Sequence, residues 1–169
     1  MSRSELPVSI VVPTYGREQV LIDSIVALLN LDRRAAEILV VDQTARHTAA
    51  TESQLQAWHD RGSIQWVRRD RPSITAAMNQ GLRLANNALV LFLDDDIVPQ
   101  PALIYAHWRT YRNSPELWAT VGQVIQPGES AMAIRPSNKL DGLRKDFDFP
   151  FNSTLDAMVE NVKIGRAHV

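Results

Sequence analysis

The chain has 169 residues, 45% of them hydrophobic and 22% charged, with a formal net charge of −1 and no cysteine. That length and balance describe one globular domain with a sizeable core. They exclude disulfides and thiolate metal sites, and they leave no basic surplus for gripping nucleic acid or an anionic membrane.

The apolar run Val8-Ser9-Ile10-Val11-Val12 predicts a first buried strand, closed by Pro13. A helix from about Glu18 to Leu31 should follow, with Leu21, Ile25, Leu28 and Leu29 on one face. Residues Glu37 to Asp42 predict a second strand, Thr51 to Arg61 a polar helix, and Ser63 to Val67 a short third strand. Ser73 is a suitable N-cap for a helix running to Asn86. The unalternating run Ala88 to Leu93 predicts a strand covered on both faces, ending at Asp94-Asp95-Asp96. Pro101 suits the first turn of a helix carrying Ile104, Trp108 and Tyr111 on one stripe. Trp118 to Ile125 reads as another strand, after which Pro127-Gly128 and Pro136 suggest a loop.

Repeated βα units predict an α/β fold with a mostly parallel, Rossmann-like sheet flanked by helices. Ligands of such sheets bind beyond the carboxyl ends of the strands. Three loops should converge there: Pro13-Thr14-Tyr15-Gly16-Arg17, Asp42-Gln43-Thr44 and Asp94-Asp95-Asp96. Adjacent carboxylates repel, and a divalent cation relieves that repulsion. Hard oxygen ligands suit Mg²⁺ or Mn²⁺, which bring phosphates with them. The bland alternative is a solvated acidic loop that caps the next helix. Tyr15 offers a ring for stacking on a nucleobase, with backbone groups around Thr14 reading its edge. Arg17 can meet a phosphate or serve as a plain surface residue. Asp42 can accept from a base N–H or a ribose hydroxyl, or act only as a turn former.

These residues also carry a family resemblance. The segments VSIVVPTYGR, ILVVDQT, PSITAAMNQGL, LFLDDDIVPQP and VGQVIQP, in that order from about Leu6 to Gln126, resemble the family 2 glycosyltransferases of GT-A fold. The resemblance implies an inverting transfer of sugar from a nucleoside-diphosphate sugar to a glycan, lipid or other hydroxyl acceptor, dependent on Mn²⁺ or Mg²⁺. On the matching positions, Pro13, Thr14 and Tyr15 belong to the loop holding the donor's base, Arg17 follows in that loop, and Asp42 contacts base or ribose. Asp94 and Asp95 lie towards the ribose, Asp96 binds the cation, and Asn79 matches an asparagine on the helix after the third strand. UDP- or dTDP-sugars are the expected donors, because Asp42 can accept from a pyrimidine N–H. A role in cell-envelope polysaccharide synthesis would suit the family.

Two positions depart from the family pattern. Met78 stands where many members carry an arginine or lysine beside the asparagine, so Arg69, Arg71 or Arg83 is a candidate replacement. Gln43-Thr44-Ala45 replaces the usual acidic, Gly/Ser-rich turn. No acid among Glu129, Asp141, Asp146, Asp148, Asp156 and Glu160 matches the family's general base, which is expected downstream. Residues 164–169 can be encoded by one frame of a common sequencing adapter. We therefore expect residues 1–163 to be a single domain, incomplete at its C-terminus, with an adventitious tail after it. Such a fragment should bind donor without turnover and pack poorly around Phe147 to Phe151. The start lacks the apolar core of a signal peptide, and no segment is apolar enough to span a membrane. The expected location is cytoplasmic, with any membrane contact peripheral, at the inner face. A non-catalytic nucleotide-sugar-binding module and a sugar-phosphate nucleotidyltransferase are the rival functions.

Overall fold

Four apolar segments lie side by side as parallel strands, each followed by a stretch long enough to carry the chain back across the sheet. The computed structural model describes residues 4–115, 117–122, 124–125 and 158–159. In chain order the elements are β1 (Ser4–Thr14), α1 (Gln19–Leu29), β2 (Arg33–Asp42), α2 (Ala49–Asp60) and β3 (Gln65–Arg68). They continue as α3 (Ile74–Leu84), β4 (Leu89–Phe92), α4 (Leu103–Asn113), β5 (Val121–Gly122) and β6 (Met158–Val159). The first four strands form one sheet in the order β3-β2-β1-β4, with every neighbouring pair parallel. β5 and β6 form a separate parallel pair. The chain thus has the expected α/β architecture.

The lack of alternation in the first two strands follows from their position between two layers. Leu6, Val8, Ile10 and Val12 of β1 face a core built with Leu21, Ile25 and Leu28 of α1, Leu55 and Trp58 of α2, and Leu103 and Ile104 of α4. Val11 of β1, with Leu39 and Val41 of β2, faces the other way onto Ala77 of α3. Fully burying each such side chain contributes about 1.5–3 kcal/mol. Polar groups fix the helix starts. Thr48 accepts from Thr51 N at the head of α2, and Ser73 accepts from Ala76 N at the head of α3.

Several elements differ from the sequence expectation for identifiable reasons. β1 does not stop at Pro13 but pairs through Thr14, and β2 begins at Arg33, with an irregularity in register between Leu6 and Ser9. β4 is only half-buried, Leu91 excepted, because it is the edge of the described sheet. The buried stripe of α4 is Leu103, Ile104, Ala106 and His107, with Trp108 and Tyr111 only partly covered. Among the described residues of the strand expected over Trp118 to Ile125, only those of β5 are in strand, and Trp118 is 95% exposed. The expectations for Phe147 to Phe151, for the acids from Glu129 to Glu160 and for the tail lie outside the described residues.

Gly81 sets how closely α3 approaches the sheet. A Cβ there would lie 2.9 Å from Val11 Cγ2 and nearer still to Cγ1, and Val11 is wholly buried. Alanine would gain up to about 1 kcal/mol of helix propensity, but overpacking costs about 1–3 kcal/mol. Gly81→Ala should therefore lower the unfolding free energy in urea by about 1 kcal/mol. An unchanged or raised midpoint would contradict this packing.

Candidate functional site: a cleft where the strand order reverses

The carboxyl ends of β1, β2 and β3 are level. Thr14 pairs with Asp42 and Asp42 with Arg68, and the ladder continues one residue further through Gln43 N to Thr14 O at 3.0 Å and Arg69 N to Asp42 O at 2.8 Å. On the other side of β1, pairing with β4 stops earlier. Val11 is opposite Phe92, and Leu93 N donates to Val11 O at 3.0 Å. Backbone groups alternate sides along a strand, so Pro13 presents its missing N–H to the side where no partner follows. A proline is tolerated there, and β4 parts from β1. The chain builds outward through β2 and β3 on one flank, then returns to the other as β4. That reversal makes a crevice at the strand ends.

The crevice is a cleft of about 560 Å³. Pro13, Thr14, Tyr15 and Arg17 line it from the β1–α1 loop, Gln43 from the end of β2, and Pro72, Ser73 and Ile74 from the start of α3. Asp94, Asp95 and Asp96 close the remaining side. Burial alternates along the segment from Leu93 to Gln100, so Asp95 points inward while Asp94 and Asp96 are exposed. Thr14 Oγ1 donates to Asp95 Oδ2 at 2.6 Å, across the parting of the strands. Arg17 Nε lies 3.4 Å from Asp95 Oδ1, and Arg17 Nη2 lies 3.3 Å from Asp96 Oδ2.

The lining therefore holds three carboxylates against the one guanidinium of Arg17. Among the described residues no group of three acids or histidines is arranged as a ready-made metal cage. Mg²⁺ and its like need no such cage: they are usually held by one or two carboxylates together with substrate phosphates and water. Asp96, with its side chain half-exposed beside the cleft, fits that donor set.

Other contacts hold the walls together. Gln43 Oε1 accepts from Ser73 N at 2.5 Å and Gln43 Nε2 donates to Thr14 O at 3.4 Å, so one amide joins three loops. Gly16 N donates to Thr44 Oγ1 at 2.9 Å. The turn needs φ of +66° at Gly16, a conformation that disfavours other residues.

Not every expected site residue reaches the cleft. Asp42 is wholly buried behind its floor. Its Oδ1 accepts from Thr44 N at 2.8 Å, and its Oδ2 faces Trp66 Nε1 at 2.9 Å and His47 Nε2 at 2.7 Å. Asn79 lies exposed on α3 and is not among the lining residues. Met78 is buried in the core. Of its candidate substitutes, Arg69 bonds Gln80 Oε1 at 2.6 Å, and none of Arg69, Arg71 and Arg83 lines the cleft. The residues that sequence reasoning missed are Gln43 and Ser73 as wall ties, and His47 and Trp66 as partners of Asp42. No local pattern marks them; only the strand order brings them together.

A parallel α/β sheet with an acidic loop at its switch point is the GT-A arrangement. Residues 9–158 match the model of Glycosyl transferase family 2, and the chain belongs to that family. Solved structures of S. aureus TarS share the fold. One superposes with a TM-score of 0.58 at 16% identity over 75% of this chain and 23% of its own. TarS 1–349 gives 0.59 at 16% identity over 79% of this chain and 40% of its own. TarS 1–349 in complex with UDP-GlcNAc gives 0.57 at 18% identity, covering 75% of this chain and 37% of its own. The chain therefore spans well under half the length of these TarS chains. No curated protein matches the sequence.

The Thr14–Asp95 bond has a direct test. Thr14→Val keeps the shape but leaves a buried carboxylate short of a donor, at a cost of about 1–3 kcal/mol. Urea denaturation should show that loss in the valine variant and most of it recovered in Thr14→Ser. Equal stability of all three proteins would remove the bond from the account.

Proposed function

We propose that the cleft binds the nucleoside-diphosphate part of a sugar donor, and that the chain is the donor-binding part of a metal-dependent, inverting glycosyltransferase. The observation that carries this reading is the meeting of Tyr15, Arg17 and Asp94-Asp95-Asp96 on one cleft at the switch point. UDP is the favoured nucleotide, supported by the UDP-GlcNAc complex of the similar TarS fold.

Each wall has a part. Tyr15, 60% exposed at the cleft, offers a face for the base, and Pro13 and Thr14 define the edge beside it. Asp94 and the Asp95 backbone lie towards the ribose, while Asp95 itself is held by Thr14. Asp42 acts from behind the floor by fixing the Gln43–Thr44 turn through Thr44 N, and Asn79 has no contact with the cleft in this arrangement. Mg²⁺ or Mn²⁺, when bound by Asp96 and the phosphates, supplies charge neutralisation of the leaving diphosphate. Arg17 now neutralises Asp95 and Asp96; on donor binding it is released from Asp96 towards the phosphates. The acceptor is a glycan or lipid-linked hydroxyl, and no described residue is assigned as the base that deprotonates it.

Calorimetric titration with UDP in Mn²⁺ tests the reading. Binding is expected in Mn²⁺, at least tenfold weaker in chelator, and weakened about as much by Asp96→Asn, the loss of one charge-assisted ligand. Equal affinity with and without metal, or in Asp96→Asn, would overturn it.

A further inference from the structure

Behind the cleft floor, three ionisable side chains stand in a row. Glu18 follows Arg17 at the head of α1, Asp42 ends β2 beside Gln43, and His47 lies between them with its side chain wholly buried. His47 Nδ1 is 3.1 Å from Glu18 Oε1, and His47 Nε2 is 2.7 Å from Asp42 Oδ2. A neutral imidazole has one N–H, so it can satisfy one carboxylate while turning a lone pair on the other. Only the imidazolium donates to both.

The surroundings favour that form. Asp42 also accepts from Trp66 Nε1 and Thr44 N, and Glu18 Oε2 from Thr48 N and Oγ1. Arg68 of β3 is paired with Glu52 of α2; its guanidinium sits over the Trp66 ring and bonds the Thr44 and Ala45 carbonyls. Burial alone pushes the His47 imidazole down, but the hydrogen bonds and charges of Asp42 and Glu18 outweigh it and hold its pKa above 6.5. Bonds from Thr51, His47 and Thr48 hold Glu18 down at about 2.

We propose that His47 is a positioning residue for the donor cleft: as an imidazolium it pins Glu18 to Asp42, and with them fixes the Tyr15–Arg17 loop against the Gln43–Thr44 turn. The proposal rests on the donor-site reading given above. On loss of the proton, one of the two ties is released. The longer bond, to Glu18, is the one that gives way, because the Glu18 side chain is 38% exposed and can rehydrate while Asp42 is sealed. Arg17 is the next residue along the chain, so the released tie loosens the cleft's one described cation.

The direction with pH follows. A folded pKa above the unfolded 6.5 makes the clamp complete below 6.5 and lost as pH rises through the raised value. Donor affinity should fall towards alkaline pH.

The test combines two readouts on the full chain. Imidazole ¹⁵N NMR reports the protonation of His47, and calorimetry reports the affinity for UDP with Mg²⁺ between about pH 6 and 8.5. The wild type is expected to lose about tenfold in affinity with the midpoint of the imidazole titration, the loss of roughly one charge-assisted bond. His47→Gln, checked for folding by circular dichroism, should bind at the wild-type alkaline level with a flat profile. Glu18→Gln, which leaves His47 in place, should lower the imidazole pKa and shift the binding midpoint by the same amount. Superimposable profiles for wild type and His47→Gln, or an imidazole that titrates at or below 6.5, would overturn the clamp alone. No UDP binding by the folded wild type at any pH would overturn the donor reading and the clamp with it.

Discussion

The site depends on where β1 and β4 part. Had β4 followed β1 to its end, the ladder would have filled the space that Pro13, Thr14 and the acidic triplet now surround. The last shared bond is Leu93 N to Val11 O; beyond it, the backbone of Pro13 has nothing to donate. A buried side-chain bond, Thr14 Oγ1 to Asp95 Oδ2, then spans the gap, with the more exposed Arg17 contacts to Asp95 and Asp96 beside it. These contacts tie the acidic loop to the β1–α1 loop across the cleft.

Electrostatics does the rest. The middle aspartate is drawn inward and satisfied by Thr14, which leaves Asp94 and Asp96 exposed on the outer side of an extended segment. Arg17 offsets part of the charge, with its side chain about half exposed to solvent. Burying the whole triplet would need several opposing donors; here only Asp95 is buried, with Thr14 donating to it and Arg17 beside it. Behind the floor, the opposite arrangement holds: Asp42 is sealed and saturated with donors. The floor is thereby rigid where the wall is adaptable.

The sheet was legible because parallel strands covered on both faces are written as unbroken apolar runs. Val8 to Val12 and Ile38 to Val41 could hardly be anything else. The triplet and the Thr14–Tyr15–Arg17 loop were legible for a related reason, since they end such runs. Strand limits were less so: Pro13 reads as a stop, and its tolerance depends on β4 ending early, a fact of another segment. Asp42 and Asn79 illustrate the same limit. Position at a strand end brings Asp42 near the crevice, but His47 and Trp66, five and twenty-four residues away, turn its carboxylate inward. Those partners come from α2's approach and from β3, and no spacing in the chain announces them. Trp118 failed as a strand residue because apolar content alone does not supply a neighbouring strand.

Backbone amide shifts followed on adding UDP and Mg²⁺ will locate the nucleoside diphosphate on the protein. The changes should fall at Tyr15, Arg17, Gln43, Ser73 and Asp94 to Asp96, grouped around the cleft. Changes gathered instead at the opposite end of the strands, around the smaller cavity beside Glu5, Arg34 and Ala36, would contradict that placement.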